Sequence, residues 1–144
     1  MGVVLTRPSE AAVAEAVPEL ETIVQDGEPV YVGGPVDPSA GVVLAEFDDP
    51  GDAATIVVGD VGFLHAETAA GEVPPTRRAR VYAGYAGWGP GQLEAELGEE
   101  AWIVAPAVPE DVFARGGDLW SEVLRRKGGQ YAILALMPAD PSVN

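Results

Sequence analysis

A chain of 144 residues with 47% hydrophobic content fits one domain with room for a core, and 18 glycines and 13 prolines break it with many turns. Eight basic residues stand against 23 acidic ones, a net charge of −15, and between Arg7 and Arg77 there are 14 acids and no Lys or Arg. That balance excludes a broad nucleic-acid footprint and opposes acidic lipid surfaces, while the absence of cysteine excludes disulfides, thiolate metal sites and a cysteine nucleophile.

In chain order, GVVLT (2–6) reads as a strand and RPSEAAVAEAVPEL (7–20) as a short helix. Ser9 is its candidate N-cap, Val13 and Val17 share a face, and Pro18 disrupts its continuation. PVYVGGPV (29–36) reads as a strand entering a Gly33–Gly34–Pro35 turn, and GVVLAEF (41–47) as a second strand paired with it through that turn. DDPGDAA is an acidic loop. TIVVGDVGFLHAE has the pattern of a hairpin about Gly59–Asp60, a two-residue turn with glycine first.

TAAGEVPPTRR is a loop without periodicity, and ARVYAGYAGW (79–88), apolar or small on both faces, reads as a central strand. PGQLEAELGEE predicts a helix with Pro90 in its first position and Leu93 and Leu97 inward. AWIVAPAV (101–108) reads as a buried strand. PEDVFARGGDLWSEVLRRKGG supplies one or two short helices, the second capped by Asp118 and stopped by Gly128. QYAILALMPADPSVN ends the chain as a strand and a proline-rich tail. Hairpin-linked strands, one strand–helix–strand unit and late helices predict a single mixed α+β domain over 1–144.

The stretch YAGYAGWGPGQLEAEL (82–97) invites a phosphate-binding reading. It fails the dinucleotide pattern, because counting from Gly87 or Gly89 the third glycine position holds Gln92 or Glu94. It fails the P-loop pattern because Pro90 and Gly91 follow Gly89 where Lys and Ser or Thr belong. No cation lies between Arg80 and Arg115, and Glu94, Glu96, Glu99 and Glu100 crowd the helix. A tight strand-to-helix corner, with Trp88 packed over it, explains these residues better.

His65 is the one histidine and no G-x-S-x-G elbow places a nucleophile beside it. Asp48, Asp49 and Asp52 lack calcium-loop spacing and read as a solvated loop. The sequence therefore names no catalytic residue, no metal ligand and no cofactor. Two basic clusters, Arg77/Arg78/Arg80 and Arg125/Arg126/Lys127, would make an anion or partner site if they met on one face; the second suits a helix C-terminus.

GYAGWGPGQLEAEL followed by AWIVAPA resembles the core motif of the bacterial YqgE/AlgH family. GVVLTRP is similar to that family's G-x-x-x-N-R-P segment, with Thr6 where Asn is usual; VYVGGPV resembles its G-G-P turn, and DPSVN its C-termini. The resemblance runs collinearly over nearly the whole chain. It implies a bent mixed or antiparallel sheet forming a pseudo-barrel with short helices packed on it, and a further N-terminal strand–loop–strand region absent here, so the domain is expected to be N-terminally incomplete.

Members are often labelled transcriptional regulators, without an established activity or catalytic residues. Joined to the acidic charge, this gives the expectation of a non-enzymatic cytoplasmic regulatory or interaction protein. It would act on transcription indirectly, through an unidentified protein partner, without direct nucleic-acid or membrane binding. The alternative is a small anionic ligand or an enzymatic pocket at the GGP turn and the Gly84–Gln92 corner. The candidate ligand or partner surface comprises Arg7, Gly33, Gly34, Tyr85, Trp88, Gly91 and Gln92.

Overall fold

The computed structural model describes residues 1–68 and 71–137. Six strands form one mixed sheet: β1 (Pro8–Ala12), β2 (Pro29–Val32), β3 (Val36–Phe47), β4 (Thr55–Val58), β5 (Val61–Phe63) and β6 (Thr76–Tyr85). Their spatial order is β1-β2-β6-β3-β5-β4, with β2 and β6 parallel and the other neighbours antiparallel. The sheet does not close into a barrel: β1 and β4 are its edges. Around it lie α1 (Val13–Ala16), α2 (Gln92–Gly98), α3 (Pro109–Val112), α4 (Leu119–Lys127) and α5 (Gln130–Leu134), with 3-10 turns at Pro18–Ile23 and Pro50–Asp52. The domain is α+β.

Side chains alternate across the sheet with the two-residue period of a strand. Val43, Ala45 and Phe47 of β3 and Ala79 and Val81 of β6 face one side, closed by Val13, Val30 and the half-buried Leu20, Ile23 and Leu64. Leu44 of β3 and Tyr82 of β6 face the other, with Tyr31, Val61 and Val112. The central position expected for 79–88 holds, and the glycine-first hairpin is β4–β5, with Val58 opposite Val61 and Gly59 at φ +57.

Other expectations are corrected. The segment 2–6 is not a strand: it makes one bridge, Gly2 to Ala86, and one bond from the Val4 amide to the Gly33 carbonyl. The region 7–20 is not one helix. Its first part is β1, paired with β2, because helical preference in an alanine-rich stretch amounts to tenths of a kcal/mol per residue (~0.5) and sheet pairing outweighs it. Ser9 accordingly caps no helix.

β2 and β3 do not pair through the GGP turn; β6 lies between them, with Tyr82 opposite Tyr31 on one side and Val42 on the other. A two-residue hairpin needs positive φ, which neither Gly33 nor Gly34 adopts, and the Gly33 amide bonds to Ala83 of β6 instead.

Helix α2 begins at Gln92 with Gly91, at φ +76, as its N-cap, so Pro90 precedes the helix instead of opening it. Leu93 is half-buried but Leu97 is exposed. Segment 101–108 is neither strand nor buried, and residues 130–134 are helical. Asp118 does cap α4 and Gly128, at φ +78, does stop it. The proline-rich tail from 138 onward lies outside the described residues.

Candidate interaction surface

Three features of the sequence follow one another from the end of β6. The first is the glycine corner. A Cβ on Gly33 would lie 2.2 Å from the Gly84 carbonyl oxygen, and one on Gly34 would lie 2.2 Å from the Tyr85 carbonyl carbon. Gly84 itself sits at φ +71, and a Cβ there would be 2.5 Å from the Gly34 oxygen. The GGP turn and the GYAG stretch are therefore two halves of one backbone-on-backbone contact.

The second feature is a tryptophan cluster ordered by one carboxylate. Glu96 of α2 accepts from Trp88 Nε1 at 3.2 Å and from Trp102 Nε1 at 2.8 Å through the same oxygen, and from Gln92 Nε2 at 3.1 Å through the other. The two indole rings meet edge to face with centroids 5.9 Å apart. Gln92 in turn accepts from the Gly89 amide at 3.1 Å, closing the turn before the helix. The Trp102 bond, then those of Gln92 and Trp88, hold the Glu96 carboxyl below the usual glutamate range.

The third is the segment 101–108, which leaves this cluster without a turn or bend. Trp102, Ile103 and Val104 are 48%, 44% and 62% exposed, so three consecutive large apolar residues face solvent. Contiguous exposed apolar runs of this kind are uncommon on a folded domain. The segment is pinned along one side by α4, whose basic last turn was expected at a helix C-terminus: Lys127 Nζ donates to the Val104 carbonyl at 2.6 Å and Arg126 Nη2 to the Pro106 carbonyl at 3.2 Å.

Arg78 and Arg80 of the first basic cluster and Arg126 of the second hold α3 and the residues just after it from different sides. Arg78 reaches Glu110 at 3.5 Å and Arg126 reaches Asp111 at 2.6 Å. Arg80, 1% exposed, donates to the carbonyls of Val112 and Ala114 at 2.8 and 3.0 Å and pairs with Glu28, 3% exposed, at 3.1 Å. Its guanidinium lies 4.1 Å from the centre of the Tyr31 ring, and Arg115 closes on the other Glu28 oxygen. Burial works against ionising Asp111, yet the Arg126 bonds and the Val108 amide outweigh it and hold the carboxyl below its ordinary value. Tyr82 is buried beside this cluster with no hydroxyl partner among the described residues, and burial pushes its phenol well above the usual range.

Of the residues singled out from the sequence, Gly33, Gly34 and Tyr85 meet in the glycine corner, and Trp88 and Gln92 meet through Glu96. Gly91 is the exposed α2 cap, and Arg7 is exposed with its carbonyl accepting from the Val32 amide at 2.8 Å. Among the described residues, clefts of about 620, 320 and 240 Å³ are lined by none of them. The largest of these three is apolar, lined by Val17, Leu20, Val43, Phe63 and Leu64 with His65. Trp102, Ile103 and Val104 were missed because an apolar run reads as buried; the flanking Glu99, Glu100 and Glu110 were the available sign of a solvent-facing segment.

The chain matches the AlgH-like family model over residues 1–132. It is 42% identical over 157 residues to a UPF0301 protein of Thermobifida fusca, spanning all of this chain and 79% of that protein. A UPF0301 protein of Streptomyces coelicolor is 40% identical over 152 residues, with the same coverage of 100% and 79%. An X-ray structure of a Corynebacterium diphtheriae protein superposes with a TM-score of 0.82 at 30% identity, covering 94% of this chain and 74% of that one. The solution structure of the AlgH protein from Pseudomonas aeruginosa does so at 0.65 with 28% identity, covering 97% and 78%.

Proposed function

The chain belongs to the AlgH-like family, and from that premise we propose that it works without catalysis, as an interaction protein that binds a protein partner at residues 101–108 and the Trp88–Glu96–Trp102 cluster. The observation that carries this reading is the run of three exposed apolar side chains, Trp102 to Val104, held out by α4 on a segment that no element covers among the described residues. Large exposed aromatic and aliphatic residues beside a polar rim are the ordinary composition of a partner-binding patch.

Any effect on transcription passes through that partner and not through duplex DNA. Beyond the net charge of −15, six cationic side chains are already engaged: Arg77, Arg78, Arg80, Arg115 and Arg126 with carboxylates, and Lys127 with the Val104 carbonyl. Neutralising phosphates would require releasing them.

A photo-crosslinking side chain at Ile103, with one at the exposed Glu15 as control, tests the reading in cells. The expected result is a protein captured at 103 and not at 15, whose binding to the purified chain is lost in Ile103→Lys. Capture equal at both positions, or tight salt-sensitive binding of duplex DNA by the purified protein, would overturn it.

A further inference from the structure

Resting on that reading of residues 101–108, we infer that the partner is recognised as an added β-strand, an extended apolar segment flanked by Lys or Arg. In an extended chain the N–H and C=O of one residue point to the same side and those of the next to the opposite side. The carbonyls of Val104 and Pro106, two residues apart, are both taken by the end of α4. The segment 101–108 has no turn or bend and ends extended at Val108 (φ −125, ψ 158), and in such a backbone that spacing sets Val104 and Pro106 on the held side and Ile103, Ala105 and Ala107 on the other. Among the described residues, the amides of Ile103, Ala105 and Ala107 donate to nothing. They form a ready ladder edge, with apolar side chains above and below it.

The sheet's own edges are poorer acceptors. β1 carries Pro8 and Glu10 and has a register shift along its pairing, and β4 is only four residues long with a shift between Ile56 and Val58. Proline, charge and bulges are the usual means by which an edge is blunted. Segment 101–107 has none of these on its free side.

Charge selects the occupant. The uncharged segment is bracketed by the exposed carboxylates of Glu99 and Glu100 before it and Glu110 after it. Antiparallel pairing of two copies about Ala105 would set Glu99 and Glu100 of one copy near Glu110 of the other, and like charges across a ladder destabilise it. A strand flanked by cations gains where a second copy loses.

The test uses the whole chain and a short synthetic peptide alternating valine and threonine between terminal lysines. Hydrogen exchange should slow at Ile103, Ala105 and Ala107 on adding the peptide, and Trp102 emission should change with it. Replacing the terminal lysines by aspartates, or N-methylating peptide amides that face the edge, should each weaken binding about tenfold, whereas N-methylation on the opposite side should not.

Equal effects of N-methylation on both sides would overturn strand addition, as would protection appearing at β4 instead. Slow exchange of the three amides in the free monomer would show the edge already covered, and concentration-dependent dimerisation protecting them would make a second copy the occupant; either overturns the inference. These failures differ from failure of the interaction reading itself, which shows as an absence of capture specific to position 103.

Discussion

Replacing Glu28 by Gln is the sharpest test of what holds α3, and with it the connection from segment 101–108 to α4. The change is nearly isosteric, yet it leaves the Arg80 guanidinium, 1% exposed, without its counter-ion. Breaking one side of a buried pair costs about 3–5 kcal/mol. The lower end applies here, because Arg80 keeps the Val112 and Ala114 carbonyls and the Tyr31 ring face. A loss of about 3 kcal/mol moves a urea midpoint down by about 1–3 M for an unchanged slope.

The matching control is Arg80→Met made alone and together with Glu28→Gln. Once the buried charge and its partner are both gone, the double variant should lose less than the sum of the single losses, since no uncompensated buried ion remains; Arg115, half exposed, keeps its water. Urea unfolding followed by tryptophan emission gives all the required midpoints. A Glu28→Gln loss below about 0.5 kcal/mol, within the range of ordinary surface changes, would refute the reasoning, and so would strict additivity.

The glycine corner predicts that Gly34→Ala fails to fold or unfolds at much lower urea, because its Cβ would overlap the Tyr85–Ala86 backbone; Gly41→Ala, which meets nothing within 4 Å, should leave the midpoint near that of the parent. Glu96 has its pKa depressed by the Trp102, Gln92 and Trp88 bonds, so its contribution is present above the ordinary glutamate value and is lost as pH falls through the lowered one. Tryptophan emission should therefore shift in acid at a pH below the usual glutamate range, and Glu96→Gln should abolish that transition. The same sign holds for Asp111, where the pair with Arg126 is intact above the ordinary aspartate value; Asp111→Asn should remove an acid-side fall in stability that the parent shows in pH-dependent melts.

Composition and turn chemistry made several elements legible. The β3 and β6 strands, the Gly59–Asp60 hairpin, the Asp118 cap and the Gly128 stop follow from apolar composition and local backbone preference, which act within a few residues. The family was identifiable from GYAGWGPGQLEAEL and its neighbours. Trp88 and Gln92 were visible as candidates, although their common acceptor Glu96 was not singled out, because a glutamate on an acidic helix looks like any other solvated charge.

The rest was decided by partners far apart in the chain. Composition establishes that 101–108 is apolar and strand-like, but whether such a segment is covered depends on what packs against it; here α4 holds it by two carbonyls, and among the described residues Trp102, Ile103 and Val104 stay exposed. Composition likewise marks Gly33–Gly34 and Gly84 as conformationally permissive; only the tertiary fold presses them together and threads β6 between β2 and β3. Local sequence sets which backbone shapes are cheap, whereas burial and strand neighbours are properties of pairs of segments, and no single segment encodes its partner.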